Sequence, residues 1–170
     1  MMRLLIFFGL IALWAKEMNF KEYFQVIEKH NFVEKEDPER RMTQIYADLG
    51  FRFPHIVQGQ SYHESDMFRS LIFHECNNPF GFKHNKRGYS LGHCRGHAHY
   101  PNLKAAINDY LEYQHKYLPH FEKYVLRRTA TEDKDYYAFL TWIGYAKDPD
   151  YIKLVDYYVV KIKEKQKWIH

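Results

Sequence analysis

The chain has 170 residues, enough for one domain that hides roughly two-thirds of its unfolded surface. Apolar residues make up 46%, which excludes a disordered or collagen-like chain, and two cysteines exclude a disulfide-dense mini-fold. The net charge of +4 is spread without a basic cluster, and a mean hydropathy of −0.60 excludes a polytopic membrane protein. Aromatics reach 18%, which suits stacking on sugars or bases and equally suits a bulky core.

Leu4 to Ala15 form an unbroken apolar run behind Arg3. As a helix it reaches only about 18 Å, short of the roughly 30 Å hydrocarbon core. Residues 1–17 therefore read as a secretory signal, a buried helix or an uncleaved signal-anchor, with Leu13 a poor residue for a cleavage site. Met18 is an alternative start. Residues 18–170 read as one domain.

Phe20, Tyr23, Phe24 and Ile27 mark one face of an amphipathic helix. A second helix is capped by Asp37, carries Pro38 in its first turn and closes at Gly50, with Met42, Ile45, Tyr46 and Leu49 as its stripe. A third starts at Pro54 and runs toward Glu64. Residues 76–100 hold four glycines and two adjacent asparagines with little helical period, which predicts loop with a small hairpin. Helical period returns from Leu103 to Gln114 and again over 133–145. A last helix starts at Asp148-Pro149, with Ile152, Val155, Val159 and Ile162 as its stripe. The order predicts an α+β fold, mainly α, with a cleft where the insertion meets the helices.

The chemistry lies in QSYHESDMFRSLIFHECNNPFGFK, from Gln60 to Lys83. Glu64 sits near a helix end, and Asn77-Asn78-Pro79-Phe80-Gly81 follows. A family pattern of Gln-Ala-x-x-Glu-Ser/Thr-Gly, then Ser, then Asn-Asn-x-Phe-Gly-x-Lys is met at Gln60, Glu64, Ser65, Ser70, Asn77, Asn78, Phe80, Gly81 and Lys83. Tyr100 and the segment Leu103 to Tyr117 look like the family's Tyr followed by a helix with Asp-Tyr, and YAKDPDYIKLV (Tyr145 to Val155) matches its Tyr-Ala-x-Asp-Pro-x-Tyr. On these three motifs the chain resembles the bacterial and phage glucosaminidases of glycoside hydrolase family 73. That family includes the flagellar-rod peptidoglycan hydrolase and the mannosyl-glycoprotein endo-β-N-acetylglucosaminidase-like domains.

The resemblance implies a lysozyme-like fold and hydrolysis of the β-1,4 bond after N-acetylglucosamine in peptidoglycan, with Glu64 as the acid. Glycoside cleavage needs a carboxylic acid whose raised pKa keeps it protonated near neutrality. Apolar neighbours such as Phe80, Tyr145 and Trp142 would raise it. Tyr145 is expected at the reacting centre. Asn77, Asn78, Phe80, Asp66 and Tyr100 are expected to bind sugar. Alternatives stay open for several of them: Asn77 and Asn78 could equally hold the turn, Phe80 could simply pack, and Asp66, where the family has Gly, could only solvate it. Asp148 is read as a helix cap and Tyr151 as core.

A second catalytic group is harder to place, because no Asp or Glu lies between Cys76 and Asn108. The substrate's acetamido group could attack, Glu75 or Asp66 could activate water, or the enzyme is impaired. No cofactor is implied. His74, Cys76, His93, Cys94, His97 and His99 form a weak zinc pattern, and a Cys76–Cys94 disulfide or free buried thiols are the other readings. The expected partner is the peptidoglycan glycan strand, in the cell envelope or a phage virion. The lytic transglycosylase and the glycan-binding module are rival functions. Nucleic acid is disfavoured by dispersed Lys and Arg and the lack of a known motif.

Overall fold

The computed structural model describes residues 38–167 other than 86 and 146. The apolar run at 4–15, the helix expected over 20–27 and the cap at Asp37 lie outside the described residues. The elements are α1 (Pro38–Asp48), α2 (Pro54–Ser65), α3 (Leu71–Cys76), β1 (Gly92–Cys94), β2 (His97–His99), α4 (Leu103–Phe121), α5 (Asp133–Trp142) and α6 (Tyr151–Lys167); a π-helical turn, Glu122–Leu126, extends α4. The fold is α+β and mainly helical, with one antiparallel hairpin among the described residues.

α1 buries Ile45 and Tyr46, and Leu49 is buried in the turn that follows it. It stops where Gly50 takes φ 82°, a left-handed conformation that costs glycine little. α2 is the central helix, and every residue from Ile56 to Tyr62 is buried. A helix covered on several sides needs no polar face, so its sequence shows little amphipathic contrast. α6 packs along it, with Val155 and Val159 against Gly59; a Cβ at Gly59 would stand 3.1 Å from the Val155 carbonyl oxygen. Gly59 therefore lets two helix backbones approach where alanine would push them apart. α6 buries Tyr151, Val155, Val159 and Ile162.

α4 is capped by Asn102, whose side chain accepts from the Ala105 N–H at 2.9 Å. It buries Ala106, Ile107, Asp109, Tyr110, Gln114, Leu118 and Phe121. α5 opens with a capping box between Glu132 and Asp135. The last helix begins at Tyr151, slightly later than expected. Asp148 caps the turn before it, accepting from the Asp150 N–H at 2.8 Å.

The insertion is tied down from three sides. The hairpin pairs Gly92 with His99, His93 with Ala98 and Cys94 with His97. A disulfide joins Cys94 to Cys76 at the end of α3, so of the three readings for these cysteines the bonded pair is the one realised. Buried Asp109 on α4 takes both Arg87 and the Tyr100 hydroxyl. An aspartate this deep is tolerable only because both oxygens are hydrogen-bonded and a cation is at hand.

Candidate active site

Glu64 is the penultimate residue of α2. The helix ends beside it because Asp66 adopts φ 50°, ψ 55°, and the Asp66 N–H returns to the Tyr62 carbonyl. This left-handed cap is a position that favours glycine, and aspartate is among the few other residues that tolerate it. The departure from the family's Gly thus keeps the backbone turn. Asp66 itself is exposed and pairs with Arg69 at 2.9 Å.

The chain then returns to Glu64 through the insertion. Ser70 caps α3 by accepting from the Phe73 N–H at 3.2 Å, and Asn77 ends α3 in a left-handed conformation. Asn78 follows as a hub. Its Nδ2 donates to the carbonyls of Phe82 (2.9 Å) and Ala98 (3.0 Å), and its Oδ1 accepts from the N–H groups of Phe80 (3.3 Å) and Phe82 (3.2 Å). One buried amide therefore folds residues 78–82 into a tight turn and joins it to β2. Phe80 is driven into the core against Tyr110, with ring centroids 4.3 Å apart.

This turn brings Gly81 onto Glu64. With φ 64°, Gly81 lies so close that a Cβ would stand 3.1 Å from the Glu64 Cδ. The Tyr145 hydroxyl donates to the Phe80 carbonyl at 3.0 Å and so holds this backbone in place. Tyr151 packs beside Tyr145, ring centroids 5.6 Å apart, and its hydroxyl neighbours the Glu64 carboxylate.

Burial of Glu64 pushes its pKa up to about 7, while the Tyr151 hydroxyl and the Lys83 charge pull the other way. The sum is a carboxyl that holds its proton close to neutrality, as a general acid requires. The phenols of Tyr145 and Tyr151 are raised well above their ordinary value, first by burial, so both stay protonated donors.

The residues expected at the site divide clearly. Glu64, Tyr145 and the Phe80–Gly81 backbone come together. Tyr100 does not line a sugar site: it is fully buried and its hydroxyl is committed to Asp109. Asn78 and Phe80 are likewise interior, and the turn-holding and packing readings describe them. Asn77 is half-buried, with its Nδ2 donating to the Tyr100 carbonyl at 2.9 Å. Glu75 is held by Arg95 in a two-bond pair at the surface, and that guanidinium keeps its carboxyl below the usual range. Trp142 packs on Phe121, ring centroids 5.6 Å apart, rather than on Glu64. Tyr151 is the site neighbour that residue type and spacing do not reveal: it is core, as expected, but its hydroxyl neighbours the Glu64 carboxyl. Gln60, one helical turn before Glu64, belongs to the same network through its bond to Tyr151 at 3.2 Å.

A helical domain that closes a glycine turn over a half-buried, proton-holding glutamate is built like a glycoside hydrolase. The family model for mannosyl-glycoprotein endo-beta-N-acetylglucosaminidase matches residues 39–164, and the chain belongs to this glucosaminidase family. No curated protein and no solved structure matches the chain.

Proposed function

We propose that the protein is a peptidoglycan endo-β-N-acetylglucosaminidase with Glu64 as its general acid. The observation that carries this reading is the Glu64 carboxyl, half-buried against the Gly81 backbone, where burial pushes its pKa up to about 7. Protonated Glu64 gives its proton to the glycosidic oxygen as the β-1,4 bond breaks after N-acetylglucosamine. The oxygen of that sugar's acetamido group attacks the anomeric carbon as the leaving group departs. Water then opens the cyclic intermediate, and the Glu64 carboxylate takes the water proton and is ready again.

Acetamido assistance is favoured because Asp66 and Glu75, the rival carboxylates, each face an arginine at the surface. Tyr145 acts by holding the Phe80 carbonyl, and so the lid of Gly81, over the acid. The half-exposed rings of Tyr113 and Tyr117 on α4, 4.8 Å apart, offer a surface on which sugar rings can stack.

A single acid also suits a lytic transglycosylase, in which the C6 hydroxyl of a muramic acid residue replaces water. Mass spectrometry of digested peptidoglycan separates the two. The hydrolase leaves reducing-end N-acetylglucosamine, and 1,6-anhydromuramic ends would overturn it in favour of the transglycosylase. A disulfide and an apolar N-terminal run both suit an exported protein, acting in the cell envelope or carried by a phage particle.

A further inference from the structure

A chain of buried hydrogen bonds ends at the Tyr151 hydroxyl beside Glu64, and its direction can be read from one fixed donor. The Arg52 peptide N–H can only donate, and it donates to Gln114 Oε1 at 2.8 Å. This orients the Gln114 amide. Its Nε2 donates to the Arg52 carbonyl at 2.9 Å and to the Tyr136 hydroxyl at 2.7 Å, which uses both of its protons. The Tyr136 oxygen is thereby an acceptor, and its own proton turns to the Tyr110 hydroxyl, 3.3 Å away. Tyr110 donates to Gln60 Oε1, which orients a second amide. Gln60 Nε2 donates to the Tyr151 hydroxyl at 3.2 Å. The Tyr151 oxygen is thus an acceptor, and its own proton can turn to the neighbouring Glu64 carboxylate.

Every side chain between the Arg52 peptide and Glu64 is interior, from Gln60, Tyr110, Gln114 and Tyr136 to Tyr151. The chain crosses α4, α5, α2 and α6, so four helices contribute to the direction of one hydroxyl. Hydrogen bonds in series polarise one another, and a phenol whose oxygen already accepts is the stronger donor. On the reading that Glu64 is the acid, we propose that this chain is a positioning device: Gln60 and Tyr110, which act through Tyr151, keep its hydroxyl donating to Glu64 and stabilise the carboxylate left after proton transfer. Without them the Tyr151 proton is free to turn to Gln60 Oε1 and desert the carboxylate. The other titratable groups facing Glu64, Lys83 and Tyr145, are untouched by this change.

The test is the titration of the Glu64 side-chain carboxyl, followed by carbon-13 NMR, which needs no turnover. Tyr110→Phe keeps the ring and removes the proton that orients Gln60. We expect its Glu64 midpoint to rise by about half a pH unit or more, as in Tyr151→Phe, because loss of a donor favours the neutral carboxyl. The double variant should rise no further than Tyr151→Phe alone. Tyr137→Phe, whose hydroxyl instead serves Asp156, should leave the midpoint in place. An unchanged midpoint in Tyr110→Phe, or shifts that simply add, overturns the chain. Should Tyr110→Phe not fold, wild-type protein labelled at the tyrosine Cζ carbons gives the same answer. The Tyr110 signal is expected to move through the Glu64 transition and the Tyr137 signal to stay still; a silent Tyr110 overturns the proposal. Activity of Glu64→Gln tests the acid role separately, so either idea can fail without the other.

Discussion

Gly81 lies directly against the Glu64 carboxyl, with φ 64° and no room for a side chain. Two penalties therefore meet at one position. Gly81→Ala must adopt a left-handed backbone at a cost of about 1–2 kcal/mol and must also displace the carboxyl. Displacing a reacting group by about 1 Å can cost on the order of 100-fold in rate. We expect Gly81→Ala to fold with slightly lowered stability and to lose at least that much of kcat on peptidoglycan. Thermal melting together with a turnover assay reads both effects.

The raised Glu64 carboxyl ties stability and activity to pH in successive windows, stability declining between about 4.5 and 7 and activity declining above about 7. Its folded value of about 7 lies above the ordinary 4.5. The stability linked to the neutral form is fully present below about 4.5 and is lost as pH rises through about 7. The loss is on the order of 3 kcal/mol, since each tenfold change in proton affinity is worth about 1.4 kcal/mol. Glu64→Gln removes the charge, so it should melt above the wild type at pH 8, with the difference vanishing near pH 4. Wild-type kcat should decline above about pH 7, because only the protonated acid can donate.

Much of the framework is legible in the residues because it is locally punctuated. Pro54 starts α2, Gly50 ends α1, and the period of Val155, Val159 and Ile162 marks α6. α3 is not legible, because six residues from Leu71 to Cys76 are too few to display a helical period. The disulfide is not fixed by residue order either, since only the fold brings Cys94 to Cys76. Expectations for the site fail where a partner is set by the packing of separate elements. Tyr100 finds Asp109 and Asn78 finds Ala98 only once α4 and β2 are in place. For Tyr151, burial of the ring is foreseeable, but the direction of the hydroxyl depends on Gln60, 91 residues away.

Asn78 gives a prediction in which the nearly isosteric variant does most harm. Its Nδ2 serves two carbonyls and its Oδ1 two N–H groups. Asn78→Ala strands these buried groups, at about 1–3 kcal/mol for each left unpaired. Asn78→Asp points an acceptor at two acceptors and should destabilise at least as much near neutral pH. A denaturant series in which Asn78→Asp matches the wild type would contradict the hub.

Asp66 separates a turn residue from a sugar ligand. Glycine suits φ 50° better than aspartate does, and the exposed pair with Arg69 contributes about 0–1 kcal/mol. Asp66→Gly should leave the melting temperature nearly unchanged and KM for glycan unaltered. A KM raised severalfold would make Asp66 a sugar contact.

The Cys76–Cys94 bond anchors the hairpin to α3 across 18 residues of sequence. A loop of that size corresponds to about 3 kcal/mol. Replacing both cysteines by serine should lower stability by about that amount. Melting of the variant with and without reductant checks this, and only the wild type should respond to reductant.

The proposed mechanism depends on Glu64 donating a proton to a glycosidic oxygen. The direct measurement is release of new reducing ends from purified peptidoglycan by wild type and by Glu64→Gln, with both shown to be folded. We expect the variant to lose on the order of 100- to 10,000-fold in rate, the usual contribution of a general acid. Equal release by the two proteins, or none from the wild type, would contradict the assignment.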